Sequence, residues 1–245
     1  MKNFFPILCI FLLIAGHVYA QPVERMEYNL HYGFIRGGKA ILEIKDTVYN
    51  GRAAIYLRME GNTVGLADKL FEVHDTYESI VNPETFLPYK AVRNVKEGKY
   101  RYYNEVTFFQ AKDSIYSRKT GGEKVPHNMV DILSAFFYLR QHAFLDRLDE
   151  GQEFTIPVFH AGKYFMMTAT FLGTDKIKSD MGNKRCYVLS PRVSKGKLLK
   201  RSDGLEIYIT KDKQRIPLLL KFDMRIGSLK ADLHSYELNG VEQIK

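Results

Sequence analysis

Residues 26–44 read MEYNLHYGFIRGGKAILEI. Met26, Tyr28, Leu30 and Tyr32 recur at every second position, and so do Ala40, Leu42 and Ile44 after Gly37-Gly38. Apolar residues with a period of two place one face of an extended chain against a core. A glycine pair between two such runs reads as a hairpin turn, here at Gly37-Gly38. An antiparallel ribbon is the expected start of the domain.

The same rhythm continues outward. Asn50-Gly51 turns the chain into Ile55, Leu57 and Met59, and Val73 to Val81 ends at Asn82-Pro83. Pro88 to Val95 and Lys99 to Phe109 flank Glu97-Gly98, and Asp113 to Arg118 is a short further strand. In the second half, Glu153–Phe159 and Gly162–Phe171 meet at Ala161-Gly162, followed by strands near Arg185–Ser190, Leu205–Thr210, Ile216–Met224 and Leu229–Leu233. Short turns between short strands exclude a βαβ arrangement. The expected fold is mainly β: a single-domain curved antiparallel sheet or incomplete barrel of about twelve strands around one buried helix. One domain over residues 21–245 is expected. The alternative is two lobes, 21–125 and 150–245, joined by the helix. An outer-membrane barrel is disfavoured, because Lys99–Glu105 carries charge on one face and Tyr with Asn on the other, leaving no lipid-facing row.

The helix is expected over about 128–142. Asn128 is the expected N-cap, Asp131 lies near the positive end of the dipole, and Pro126 marks the boundary. Met129, Val130, Ile132, Leu133, Ala135, Phe136, Phe137 and Leu139 cover most of its circumference. A helix apolar nearly all round is buried on nearly all sides, so it plugs a curved sheet.

Residues 1–20 have the layout of a secretory signal peptide: Lys2, an apolar run from Phe4 to Ala15, and a small-residue site at Val18-Tyr19-Ala20. The run is shorter than the roughly 20 residues of a permanent span, so no transmembrane anchor is expected after its removal. Export to the periplasm or beyond follows. Cys9 would leave with the signal, which makes Cys186 the lone cysteine of the mature chain. No disulfide then holds the fold, and a thiol inside a strand reads as buried and inert. The net charge of +8 suits an anionic lipid headgroup or an acidic glycan. Nucleic acid is not an expected partner of an exported chain.

No metal motif, phosphate loop or Gly-x-Ser-x-Gly elbow occurs, and no cofactor is expected. Ser194 and Lys197 have serine–lysine spacing, but in a charged, Gly-containing segment that reads as a loop. Asp131, Ser134 and His160 form the best acid, hydroxyl and base set, although nothing in the sequence brings His160 to Ser134. Binding is better supported. Phe136, Phe137 and Tyr138 could offer apolar surface to a ligand, or simply fill the core. Arg140 and the basic stretch holding Lys195, Lys197, Lys200 and Arg201 could meet a negative headgroup, or stand in water.

Several segments together carry a resemblance: residues 30–44 (LHYGFIRGGKAILEI), 131–140 (DILSAFFYLR), Gly173, RCYV at 185–188 with Pro191, and RIP at 215–217 with Gly227-Ser228. They resemble the bacterial exported family known as domain of unknown function 3108. The resemblance implies a Gram-negative envelope location and no defined activity. The family is similar in architecture to the lipoprotein carriers LolA and LolB, which implies a curved sheet over helices with an apolar cavity for acyl chains. The chain departs from those carriers in showing one clear helix where they have several.

The expected function is non-enzymatic binding of an apolar or amphipathic ligand, a lipid or lipoprotein, between sheet and helix. A carbohydrate-active enzyme or acidic-glycan-binding protein is the alternative, with Glu97, Glu105 and Asp131 as its carboxylates. An envelope assembly scaffold is the further alternative.

Overall fold

The computed structural model describes residues 23–141, 143–192, 203–225 and 227–244. The expected signal peptide, residues 1–20, lies outside them. So do Ser194, Lys195, Lys197, Lys200 and Arg201.

The fold is mainly β, one curved sheet, antiparallel but for one short pairing at its edge, that curls without closing. Among the described residues it contains sixteen strands, more than the dozen expected. The first half supplies β1 (Glu24–Tyr32), β2 (Ile35–Tyr49), β3 (Arg52–Thr63), β4 (Val73–Val81), β5 (Pro88–Glu97), β6 (Tyr100–Phe109), β7 (Ser114–Ser117) and β8 (Gly121–Lys124). The second half supplies β9 (Val130–Asp131), β10 (Glu153–His160), β11 (Lys163–Ser179), β12 (Gly182–Pro191), β13 (Leu205–Thr210), β14 (Pro217–Asp223), β15 (Ser228–Leu238) and β16 (Val241–Ile244). Neighbours in sequence pair except β8 and β9, and β1 also pairs with β15, so one ladder runs from β8 through β1 to β9. The extra strands are short ones such as β8 and β9, in which no alternation is long enough to read.

The opening hairpin turns elsewhere than at Gly37-Gly38. Tyr32 pairs with Ile35, and Gly33 at a φ of 60° leads the two-residue turn. That φ favours glycine. Gly38 lies within β2, where a Cβ would sit 3.0 Å from the Asn62 carbonyl oxygen. Its small size serves close strand packing and not the turn.

The helical segments also differ from expectation. A short α1 (Gly65–Leu70) joins β3 to β4 with no buried residue. The central helix α2 spans Ile132–Gln141, starting four residues later than expected. Val130 and Asp131 are instead paired in parallel with Val158 and Phe159. Asn128 adopts a φ of 58°, and Asp131 takes over the cap. The Asp131 Oδ1 atom accepts from the backbone N–H groups of Leu133 (2.9 Å) and Ser134 (3.2 Å).

α2 lies inside the curl, as its all-round apolarity requires. Leu133 and Phe137 join a core with Met26, Leu42, Leu57 and Leu218, while Ala135 and Leu139 join a second with Val158, Leu189 and Ile207. A smaller cluster closes the seam between the sheet's two ends, where Met129 and Phe159 pack on Ala91, Val106 and Phe108. Side-chain bonds reinforce the seam. The Gln110 Nε2 group donates to the carbonyls of Pro88 (3.1 Å) and Met129 (2.9 Å), and the Ser79 hydroxyl donates to Asp131 Oδ2 (2.7 Å). Cys186 is fully buried in β12, and burial, the largest cause, pushes its thiol up to about 11.

Candidate functional site

A cavity of about 310 Å³ lies between α2 and the sheet. Ile132, Phe136 and Leu139 face it from the helix, at spacings that place them on one stripe. Leu42, Met59, Leu220 and Phe222 are among the sheet residues opposite. Among the described residues Tyr28 is the only lining residue with a polar side chain, and its hydroxyl donates to the Pro217 carbonyl at 2.9 Å. An apolar wall with its single hydroxyl already bonded offers water nothing to hold on to.

Pro191, Leu205 and Phe222 lie at or beside the ends of their strands and place the cavity toward one end of the curl. The β1–β2 turn is at that end, since Tyr32 pairs with Leu229 and Leu229 pairs with Phe222. At the opposite end a second cavity of about 240 Å³ is lined by Phe86 and Phe137 together with Glu24, Lys213 and Gln214.

The aromatic residues expected on the helix divide between these spaces. Phe136 lines the larger cavity, while Phe137 is buried and lines the smaller one. Their rings meet edge to face at 5.9 Å. Tyr138 is half-buried against the Val158 core, and burial raises its pKa. Arg140 is fully buried at the far end of α2. Its Nη2 atom lies 2.5 Å from Glu24 Oε2 and donates to the Gln214 carbonyl (2.8 Å), and Nε donates to the Arg215 carbonyl (2.7 Å). The Arg140 charge is therefore matched inside the protein.

The acid, hydroxyl and base set is partly assembled. Pairing of β9 with β10 brings Asp131 beside Phe159, and Asp131 and His160 line one narrow cleft at the seam. The Ser134 hydroxyl donates to Asp131 Oδ2 at 2.6 Å and is wholly buried. Burial raises the Asp131 pKa, against hydrogen bonds from Ser134 and Ser79 that lower it. With four donors on its carboxylate, Asp131 acts as a helix cap and a seam tie. His160 stacks on Tyr77 at 6.5 Å, and no hydrogen bond joins it to Ser134 among the described residues. A serine whose proton is committed to a saturated carboxylate lacks the activated geometry of a nucleophile.

The three carboxylates named for glycan chemistry do not converge. Glu105 alternates with Asn104, which lines the seam cleft beside Asp131, so the Glu105 side chain leaves the other face of β6. It is held by Lys90 at 2.8 Å, which lowers its pKa. Glu97 lies six residues along β5 from Ala91, the partner of Ser79. That is roughly 20 Å at about 3.3 Å per residue, beyond the carboxylate separation of either glycosidase class.

The seam has a pH signature. Burial, with the Arg93 charge second, holds the His160 ring down at about 4. The folded pKa is thus below the unfolded value of about 6.5, and the unfolded chain binds more protons between the two. Stability from neutral His160 is complete above pH about 6.5 and is lost as pH falls toward about 4. The loss is at most about 3 kcal/mol, less what solvent screening of a partly exposed ring removes. Urea midpoints measured at both pH values should differ less in His160→Phe than in wild type. An unchanged difference would exclude His160 as the source.

Among solved structures, a beta-barrel-like protein of domain of unknown function DUF1849 from Brucella abortus superposes with a TM-score of 0.59 at 10% identity, covering 88% of this chain and 97% of that one. The likeness is one of fold alone. No curated protein matches the chain. The family model described as "Protein of unknown function (DUF3108)" matches residues 27–234, nearly the whole of the sheet built around α2, and the chain belongs to that family.

Proposed function

We propose that this protein is an exported, non-enzymatic binding protein of the bacterial envelope that holds the apolar chain of a lipid or lipoprotein between α2 and the sheet. The observation that carries the reading is the cavity of about 310 Å³ with its apolar lining. An engineered cavity of about 150 Å³ with a similar lining stays dry and takes up benzene. The space here is larger than that cavity, and its wall gives water few partners. A sequence that keeps Ala40, Ala135 and Ala231 on the wall forgoes filling this space, which makes sense if a guest fills it. The signal-like residues 1–20 support the envelope location, and the cavity wall supports an acyl chain over a sugar, whose hydroxyls would find no partners there.

The test is organic extraction and mass spectrometry of protein recovered natively from its own cells. A lipid or lipopeptide in stoichiometric amount is the expected result. Protein that is recovered empty and then takes up no fatty acid would contradict the reading.

A further inference from the structure

At the end of the curl where the cavity lies, large apolar side chains stand in solvent on three neighbouring protrusions. Phe34, at the tip of the β1–β2 turn, is 105% exposed, and Ile35 beside it is 68% exposed. Leu66 and Leu70 of α1 are 74% and 86% exposed. They are four residues apart, hence on one face of a helix that buries nothing. Phe71 follows, also exposed, and Tyr100 rises from the β5–β6 turn.

The protrusions are joined. Val64 N–H donates to the Gly37 carbonyl at 3.0 Å, and a Cβ on Gly37 would meet the Ala67 Cβ at 3.5 Å. Gly98 N–H donates to the Glu72 carbonyl at 2.7 Å, and the Phe71 ring covers Gly98. One rim therefore displays a contiguous set of apolar tips. This placement is costly in water and is not explained by packing, since α1 could hold its backbone bonds with polar residues at 66 and 70.

Charge identifies the partner. Arg36, Lys69, Lys99 and Arg101 are exposed on the same protrusions. Of the acidic residues there, Glu72 pairs with Lys96 at 2.6 Å, and Glu97 and Asp75 lie half-buried beside each other. Asp68, which accepts from the Thr63 hydroxyl at 2.8 Å, keeps its charge, so the exposed tips hold four basic residues against Asp68 and the paired Glu72. The chain as a whole carries +8. A second copy of this rim would set like charges against each other. Apolar wedges on separate narrow turns also make a poor rigid interface but enter a fluid headgroup layer one by one. We propose that this rim docks on an anionic lipid surface, with Phe34, Ile35, Leu66 and Leu70 entering the interface and the four basic residues meeting headgroups. Docking needs no occupant in the cavity, so the two readings can fail separately.

The probe is sedimentation with vesicles of phosphatidylethanolamine plus phosphatidylglycerol, beside vesicles of phosphatidylcholine alone, using protein with the N-terminus it has when recovered from the cell. Wild type should partition onto the anionic vesicles more strongly than onto the neutral ones, and less as salt is raised. The double variant Phe34→Ser with Leu70→Ser should lose at least about tenfold in partition coefficient, because two apolar side chains no longer enter the interface. Val48→Ser, also an exposed position, beside the Asn50-Gly51 turn at the opposite end, should lose nothing. All three positions are exposed, so folding is not at risk. Absence of vesicle binding by wild type, or equal binding by the double variant, would overturn the proposal. So would a dimer of wild type, formed without vesicles, that the double variant abolishes.

Discussion

Arg140→Ala should cost about 3–5 kcal/mol of stability, read as a lower urea midpoint at neutral pH. Arg140 and Glu24 meet 116 residues apart in sequence, and both are buried. Removing one leaves the other charge in a medium that solvates it poorly, which is where the loss comes from. Two further bonds go with it, to the carbonyls of Gln214 and Arg215, which tie the β13–β14 connection to the end of α2. The paired change Glu24→Gln with Arg140→Met should recover most of the loss, because neither charge then remains. A single substitution that costs under about 1 kcal/mol would show that the pair is hydrated and that α2 is not anchored there.

Ala231→Phe is the second large effect and has the opposite sign. Ala231 lies on the inward face of β15 between Leu229 and Leu233 and lines the larger cavity. A ring placed there enters empty space, and filling a cavity commonly adds about 0.5–2 kcal/mol. The gain should appear as a melting temperature a few degrees higher in delipidated protein. If the interior were packed to normal density, the same ring would overpack it at a cost of about 1–3 kcal/mol. The sign of the change thus distinguishes a cavity from a filled core.

The architecture was legible because most of it is written in periods. Alternation at Met26–Tyr32 and Ala40–Ile44 marks two strands, and the all-round apolar run at 129–139 marks the buried helix. Three features were hidden for physical reasons. Gly33 and Gly37-Gly38 are equally good turn candidates, and only the pairing of Tyr32 with Ile35 and of Gly38 with Leu30 places the turn at Gly33 and Gly38 in the strand. Val130-Asp131 is too short for any period to show, and its pairing with β10 is what sets His160 beside Asp131. The match of Arg140 with Glu24 joins the first strand to the last turn of the helix, a contact that only the curling of the sheet around α2 creates. The candidate site was half legible. The apolar helix face pointed to Phe136, but the alanines that leave room opposite it, Ala40 and Ala231, carry no signal until the sheet is folded.

The decisive measurement is titration of delipidated protein with a fluorescent fatty acid, wild type beside Ala231→Phe. Saturable binding to wild type at a single site, weakened at least about tenfold in the variant, is the result expected if the cavity under α2 is the binding site. Equal affinity in both proteins, or no saturable binding to wild type, would contradict it.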